Sequence, residues 1–365
     1  MASTGLFSRT PHRVQSPIGG PCFVPSPARP RGERGPENVH QSTTAPHAAG
    51  DSTRRWSDLM VVDPSRLSLE RHLQSRHSFL NFLGIPMTVD LEFTHDTEFQ
   101  KLLARRSDID LMQVALELAR DAQPNLDFGH TCEWIERRAG EVRSQLSRAK
   151  NDREMLTELS RCLAGTHGLH GDRSAFQHAE SSYLNRVIET GVGIPISLSL
   201  VYVAVAQRAG LELAGVAAPM HFLTRLDTIE GPLFLDAYHH GHVLEFDDCC
   251  AWLETLSGLS GDEIDVALEP AEPRAIILRM LHNLKAVHVQ GEQWQHAWHV
   301  QRRLTALDPG VADQRRDLAI IALKSNRAGV AIDLLEGCLK TCSNRDRAML
   351  QSHLRVAERL LATLN

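Results

Sequence analysis

The chain has 365 residues, a formal net charge of −6, 42% hydrophobic residues and 23% charged residues. This length predicts about two domains, and the composition is that of an ordinary globular protein. The net negative charge gives no reason to expect a nucleic acid or an acidic membrane as a partner. The sequence has no run of about 18 apolar residues, so no membrane span is expected. Seven scattered cysteines argue against a disulfide framework and favour the cytoplasm.

The first part of the chain differs in composition from the rest. Residues 1–55 are rich in Pro, Gly, Ser and Arg and carry few large apolar side chains. This composition predicts a disordered tail. Residues 56–97 are interpreted as a linker with a short helix that ends before Pro86. The apolar positions of that helix are Leu67, Leu69, Leu73, Phe79 and Phe82.

Helical periodicity begins near residue 98, where a first folded domain, 98–265, is predicted to start. Apolar residues recur at helical spacing in three stripes, and Pro124 separates the first stripe from the second. We interpret all three stripes as the buried faces of helices. They are Leu111, Met112, Ala115, Leu116 and Ala119; Ile135, Ala139, Val142 and Leu146; and Leu156, Leu159 and Leu163.

The centre of the chain changes from helices to strands. A proline before position 196 and Gly210 beyond position 208 predict an apolar helix over 196–208. Short β-like runs follow, each bounded by turn residues. One buried helix followed by several antiparallel strands predicts an α+β fold class. The β-like runs are 213–217, 221–226 and 233–236.

Residues 266–365 are predicted to be helical again and to contain a degenerate pair of tetratricopeptide-like repeats. A shift of about 34 residues, the period of that repeat, superposes Ala297 on Ala331 and Leu304 on Cys338. An ordinary helical bundle is the alternative. Helical repeats present concave faces to other proteins, so a protein partner is expected to bind through this region.

Two residues of the predicted strands, His221 and Asp236, could form a catalytic pair. Neighbouring antiparallel strands can place an aspartate beside a histidine, where the carboxylate fixes the tautomer and the ring angle of a general base. Such a pair requires a nucleophile at the N-terminus of a facing helix, because the helix dipole there lowers the pKa of a thiol.

Several stretches of the sequence resemble the SirB-type branch of the transglutaminase-like superfamily. They are YLNRVIE at 183–189, GIPISLSLVY at 193–202, PMHF at 219–222, FLD at 234–236, RMLHNLK at 279–285 and QRRD at 314–317. The resemblance extends from about residue 98 to the C-terminus. It implies a helical lead-in, a transglutaminase-like core of the papain-like cysteine-protease type, and an all-α tetratricopeptide-like tail.

The resemblance also implies where the superfamily's catalytic triad would lie. Its histidine corresponds to His221, its aspartate to Asp236 and its cysteine to Pro195. A proline cannot act as a nucleophile, and the SirB-type branch resembles this sequence in that loss. The sequence departs from the branch at Met220, where glycine is usual.

Other side chains could restore a nucleophile. Ser197 lies two residues into the predicted helix, although a hydroxyl requires stronger activation than a thiol. Cys249 and Cys250 lie at the start of a later helix, for which Asp247 or Asp248 is the predicted N-cap. Buried, inert cysteines are the ordinary outcome at such positions.

Three closely spaced histidines follow Asp236 and offer imidazole ligands for zinc or a similar ion. They are His239, His240 and His242. Consecutive side chains diverge in a turn, so a solvated turn or a pocket rim is the alternative, and no metal or cofactor is assigned.

Two polar residues are candidates for the lining of a pocket below the histidine. Asn185 and Glu189 are four residues apart and share one helix face, and Pro195 lies close in sequence. Glu189 could instead pair with Arg186 or Arg208.

The sequence therefore favours a transglutaminase-like protein that lacks the catalytic cysteine and acts as a non-catalytic interaction or regulatory protein. The alternative is a hydrolase or acyl-transfer enzyme that uses Ser197, or a bound metal, together with His221 and Asp236.

Overall fold

The structure is a computed structural model that describes residues 93–364. The predicted disordered tail, 1–55, and the short helix predicted before Pro86 lie outside the described residues. All described residues belong to one compact unit, 51–365.

Four helices form the lead-in to the central region. The side chains of Asp110, Asp127 and Asn151 accept hydrogen bonds from backbone N–H groups of the first turn, which fixes where three of the helices begin. Most residues of the three predicted stripes are buried on these helices. The helices are α1 (Thr97–Leu103), α2 (Leu111–Arg120), α3 (Phe128–Leu146) and α4 (Asp152–Ser160).

Short elements connect the lead-in to the central helix. A π-helical turn follows α4 directly, and two 3₁₀ turns precede α5. Strands β1 and β2 pair in parallel. The elements are the π turn Arg161–Thr166, β1 (His170–Gly171), the 3₁₀ turns Arg173–Gln177 and Ala179–Ser182, α5 (Leu184–Thr190) and β2 (Val192–Gly193).

Helix α6 (Pro195–Ala209) lies at the centre of the core. Pro195 occupies its first position, which needs no backbone N–H, and Gly210 follows its end with a φ of 91°. Nearly every residue of the helix is buried, as expected for a helix surrounded by other elements. The helix predicted over 196–208 is confirmed, with one more residue at each end.

Four antiparallel strands form the main sheet, in the order of the chain. Thr224 of the second strand lies opposite Leu235 of the third. The three predicted strands are confirmed in number, and a fourth was missed. Its four residues include two exposed polar ends, so no alternating pattern marks it. The strands are β3 (Ala214–Val216), β4 (Leu223–Leu226), β5 (Leu233–Asp236) and β6 (His242–Glu245).

Two local predictions around the sheet were wrong. His221 does not start a strand; it lies two residues before β4, in a turn where its N–H donates to the carbonyl of Ala218 at 3.2 Å. The helix after β6 has Glu245 as its N-cap and no side-chain cap bond, because the strand runs directly into the helix. Asp247 and Asp248 therefore lie within its first turn.

The rest of the chain is helical, and two of its helices repeat at a fixed interval. Helices α10 and α12 begin at residues 294 and 328 and end at 307 and 341, so both ends differ by 34 residues. None of the helices in the described part is long and apolar enough to cross a membrane. The helices are α7 (Phe246–Ser257), α8 (Gly261–Ala267), α9 (Pro273–Gln290), α10 (Trp294–Leu307), α11 (Ala312–Lys324), α12 (Ala328–Thr341) and α13 (Asn344–Leu364).

The C-terminal helices are packed against the core and the lead-in. Ile277 and Leu281 of α9 belong to the same hydrophobic cluster as the residues of α6. Arg303 of α10 is 1% exposed, and its guanidinium donates to Asp96 at 2.7 Å and to Asp121 at 2.8 Å. A buried arginine that pairs with two carboxylates makes these elements mutually dependent for stability.

Candidate functional site

A buried histidine and a buried aspartate form the centre of the site. Asp236 is the last residue of β5, and His221 lies in the turn before the neighbouring strand β4. A hydrogen bond of 2.9 Å joins His221 Nε2 to Asp236 Oδ1. The two residues are 6% and 2% exposed. Nδ1 of His221 has no hydrogen-bond partner within residues 93–364, so this nitrogen is the one that remains available for a further hydrogen bond.

The carboxylate of Asp236 has further donors besides His221. Its Oδ1 also accepts from the backbone N–H groups of Tyr238 at 3.0 Å and His239 at 3.2 Å. Its Oδ2 accepts from Nδ1 of His239 at 2.6 Å. Burial by itself raises the pKa of Asp236, but the hydrogen bonds and charges of His221 and His239 outweigh burial and hold that pKa below its usual value. The carboxylate is therefore ionised at neutral pH.

Aromatic side chains surround the imidazole of His221. The rings of Trp252 and Tyr238 pack edge-on against it, with centroid separations of 5.1 Å and 5.9 Å. Met220, immediately before the histidine, is 60% exposed and has a φ of 59°. A methionine with a positive φ is unusual. Met220 adopts this conformation immediately before His221, whose ring packs against Trp252 and Tyr238.

The backbone of the histidine turn is held by a C-terminal helix. Arg279 of α9 donates to the carbonyl of His221 at 2.6 Å and to that of Ala218 at 3.0 Å. The same guanidinium lies over the ring of Phe222 at 5.6 Å. Arg279 thus fixes the turn from which the imidazole projects.

The start of helix α6 presents no free nucleophile. The Ser197 hydroxyl is fully buried. It contacts the carbonyls of Ser181 at 2.6 Å and Ile194 at 3.0 Å, and it accepts from the Ile194 N–H at 3.1 Å. The imidazole of His221 is not among its partners. The hydroxyl is therefore used to hold the backbone before the helix, and Pro195 supplies no reactive atom.

Comparison with known proteins identifies two regions of the chain. The profile described as transglutaminase-like superfamily matches residues 130–282, and a tetratricopeptide-repeat profile matches residues 284–360. A protein of Xylella fastidiosa strain Temecula1, called UPF0162 protein, is 30% identical over 248 residues, which cover 67% of this chain and 88% of the relative. This chain belongs to the SirB1/UPF0162 family of transglutaminase-like proteins.

More distant relatives carry the family's other names. Protein SirB1 of Salmonella typhimurium is 22% identical over 208 residues, which cover 57% of this chain and 77% of that protein. UPF0162 protein YchA of Escherichia coli K12 is 23% identical over 231 residues, which cover 63% of this chain and 85% of that protein. No solved structure matches. The predicted SirB-type family, its transglutaminase-like core and its tetratricopeptide-like tail are confirmed.

The two cysteines near the sheet offer no thiolate to this SirB1/UPF0162 site. Cys249 is fully buried, and burial raises its pKa to about 12. Burial and a hydrogen bond to Asp265 raise the pKa of Cys250 to about 11. Both thiols are protonated at neutral pH, and the reactive form of cysteine is the thiolate.

The two polar residues predicted to line a pocket have other partners. Asn185 is buried and donates to the side chain of Gln123 at 2.7 Å. Glu189 is exposed and forms an ion pair with Arg186. Asn185 is therefore hydrogen-bonded inside the protein, whereas Glu189 is paired at the surface.

The three histidines after β5 point to different places. His239 contacts the carboxylate of Asp236. His240 stacks on His170 with a centroid separation of 5.9 Å. His240 and His242 line an open groove of about 480 Å³. Of these three histidines, His239 is the one that shares a partner with His221, namely the carboxylate of Asp236.

Sequence reasoning did not assign Arg279 or Trp252 to the site. Arg279 had a visible signal, because it is a basic residue next to buried apolar positions such as Met280. Trp252 had none, since a tryptophan in a short amphipathic helix is ordinarily a core residue.

Proposed function

We propose that this chain is a non-catalytic protein-interaction or regulatory member of the SirB1/UPF0162 family. One observation carries the proposal: the hydroxyl of Ser197 is bound to backbone groups and Pro195 occupies the first helical position. The chain therefore has a general base and its orienting carboxylate, His221 and Asp236, but a helix start without a nucleophile. In this proposal the pair is a structural or ligand-binding remnant.

The alternative is a hydrolase or acyl-transfer enzyme. The route through Ser197 requires a hydrogen bond between its hydroxyl and the general base. The hydroxyl is bonded to backbone groups instead, and His221 is not among its partners. The route through a bound metal with His221 and Asp236 has one observation in its favour, which is the contact of His239 with the same carboxylate at 2.6 Å. That contact carries the cation site argued in the next subsection.

The proposed partner is a protein that binds the C-terminal helical region. Stacked helical repeats present extended surfaces to other proteins, and exposed apolar side chains occur on this region at Val330 and Val356. We propose no nucleic-acid or membrane partner, because the net charge of −6 would repel phosphate groups. The proposal places the chain in the cytoplasm, in keeping with the six free cysteines of the described part.

The catalytic half of the proposal is tested by comparing the wild type with His221→Ala. We expect neither protein to hydrolyse an activated ester or to transfer a glutamine acyl group above the buffer rate, and we expect a fluorophosphonate probe to label no serine. A turnover that the wild type shows and His221→Ala lacks, with both proteins folded, would contradict the proposal.

The interaction half requires the full-length chain. Ile277 and Leu281 pack into the main core, so deletion of the segment after residue 270 would disrupt the fold as well as any binding surface. The test therefore compares Val330→Asp with Ile229→Asp, a matched exposed site on the turn between β4 and β5. Chemical cross-linking in cells should trap a protein on the wild type and on Ile229→Asp, and much less of it on Val330→Asp. Equal trapping by all three would place the binding surface elsewhere.

A further inference from the structure

Two histidines and one aspartate converge at the end of strand β5. We propose that His221, Asp236 and His239 bind a divalent cation of the zinc class, with one ligand atom from each residue. The three ligand atoms, a ring nitrogen of each histidine and a carboxylate oxygen of Asp236, all lie within 4.8 Å of one another. Imidazole and carboxylate are the donors that Zn²⁺ and similar borderline ions prefer.

The carboxylate of Asp236 has a free coordination position on one oxygen. Oδ1 already accepts from His221 and from two backbone N–H groups. Within the described part of the chain, Oδ2 accepts only from Nδ1 of His239, so one lone pair on Oδ2 remains. A cation bound to Oδ2 would lie beside the ring nitrogens that now donate to the carboxylate.

The separation of the two imidazoles fits one shared ion. Two imidazoles on a tetrahedral zinc, with Zn–N bonds of roughly 2.1 Å, have ring centroids about 5 Å apart. The observed centroid separation of His221 and His239 is 5.7 Å, with the ring planes 25° apart. The side chain of His239 is 59% exposed, so its ring can rotate until its nitrogen points at the shared ion.

The electrostatics of the ligand set also suit a dication. The carboxylate of Asp236 is buried and supplies one negative charge when it binds the ion, and imidazole binds a metal in its neutral form. Each imidazole bound to the ion would carry its single proton on the nitrogen that faces away from it. Three protein ligands leave a fourth position for water or for a side chain of a partner, an arrangement typical of open zinc sites.

A second cluster of potential ligands, Glu141, Cys162 and His167, is a poorer candidate. Burial and the hydrogen bond to Glu141 raise the pKa of the Cys162 thiol to about 12, and a thiol must lose its proton to bind zinc. Arg138 already pairs with the same carboxylate at 2.7 Å. This cluster serves as an internal comparison for the experiment.

The experiment measures zinc binding by the full-length, untagged protein after removal of metal with a chelator. Calorimetric titration with zinc chloride and elemental analysis should give one zinc per chain for the wild type. His239→Ala should weaken binding at least about tenfold, because it removes one of three ligands. His240→Ala and His242→Ala are the matched controls, and both should bind as the wild type does.

The folded state and the competing cluster are checked in the same series. His239 is largely exposed, so its alanine variant should retain the wild-type melting temperature in the absence of zinc. Zinc should raise the melting temperature of the wild type and of His240→Ala, and not that of His239→Ala. No stoichiometric zinc on the wild type, equal weakening by His239→Ala and His240→Ala, or loss of binding only in Cys162→Ser would each overturn the proposal. All of these readouts are independent of whether the protein catalyses a reaction.

Discussion

The start of helix α6 and the turn after strand β5 are two regions in which polar side chains are buried, and they use those side chains in opposite ways. At the helix start, the hydrogen-bond partners of the Ser197 hydroxyl among residues 93–364 are all backbone groups. At the turn, the carboxylate of Asp236 contacts two imidazoles as well as two backbone N–H groups. The first arrangement fixes the path of the chain, whereas the second collects groups that can exchange protons or bind an ion.

The largest loss of stability in either region is expected for Asp236→Ala. Removal of this carboxylate leaves the buried His221 and two backbone N–H groups without an acceptor, which should lower the free energy of unfolding by about 4 kcal/mol. The control is Asp227→Ala, on the turn between β4 and β5. It removes a carboxylate that is 69% exposed and should change the free energy of unfolding by less than about 0.5 kcal/mol. Urea denaturation at pH 7 measures both variants. A loss below about 1 kcal/mol for Asp236→Ala would mean that the pair contributes little to the fold.

A smaller effect is expected at the helix start. Ser197→Ala should cost about 1.5 kcal/mol, because it removes the buried bonds of the hydroxyl to Ser181 and Ile194. The N–H of Ile194 still donates to the carbonyl of Ser181 at 3.2 Å, so neither group is left without a partner. Ser144→Ala removes an exposed hydroxyl from α3 and is the control, with an expected change near zero. Ser197→Ala should leave zinc affinity unchanged. Altered zinc binding in this variant would show that the two regions act as one site.

The environment of Asp236 also predicts a pH dependence. Its folded pKa is lowered, so its stabilisation is fully present above the unfolded pKa of about 3.9 and is lost as the pH falls through the folded pKa. The stability difference between the wild type and Asp236→Asn, followed by urea denaturation, should therefore shrink as the pH falls below about 4. A difference that grows as the pH falls from about 4 to about 2 would contradict a lowered pKa of Asp236 in the folded state.

The sequence was sufficient to predict the fold and the contact between His221 and Asp236. It was not sufficient to predict that His239 also binds the carboxylate of Asp236. The contact of His221 with Asp236 could be predicted from a family motif and from two adjacent strand patterns, although His221 lies two residues before its strand. The role of His239 depends on the turn before β6, where His240 and Gly241 have φ values of 58° and 72°. Periodicity carries no information about such a turn, and β6 itself is too short and too polar at its ends to be recognised. The three histidines therefore looked equivalent in the sequence.

The smallest change in stability is expected for Pro195→Cys. This variant also tests most directly whether the start of α6 faces the turn that carries His221. Cysteine fits the first position of α6, and loss of the fixed proline φ should cost about 1 kcal/mol or less. The new thiol would lie at a helix N-terminus, whose dipole favours the thiolate, and at a buried position, which favours the thiol. If position 195 faces His221, the alkylation rate of the introduced thiol should depend on pH differently in the single variant and in the variant that also carries His221→Ala. Mass spectrometry of the peptide that contains position 195 distinguishes this thiol from the others of the chain. Identical pH profiles would show that the helix start does not face the imidazole. In that case a cysteine at position 195 would still not form a catalytic arrangement with His221.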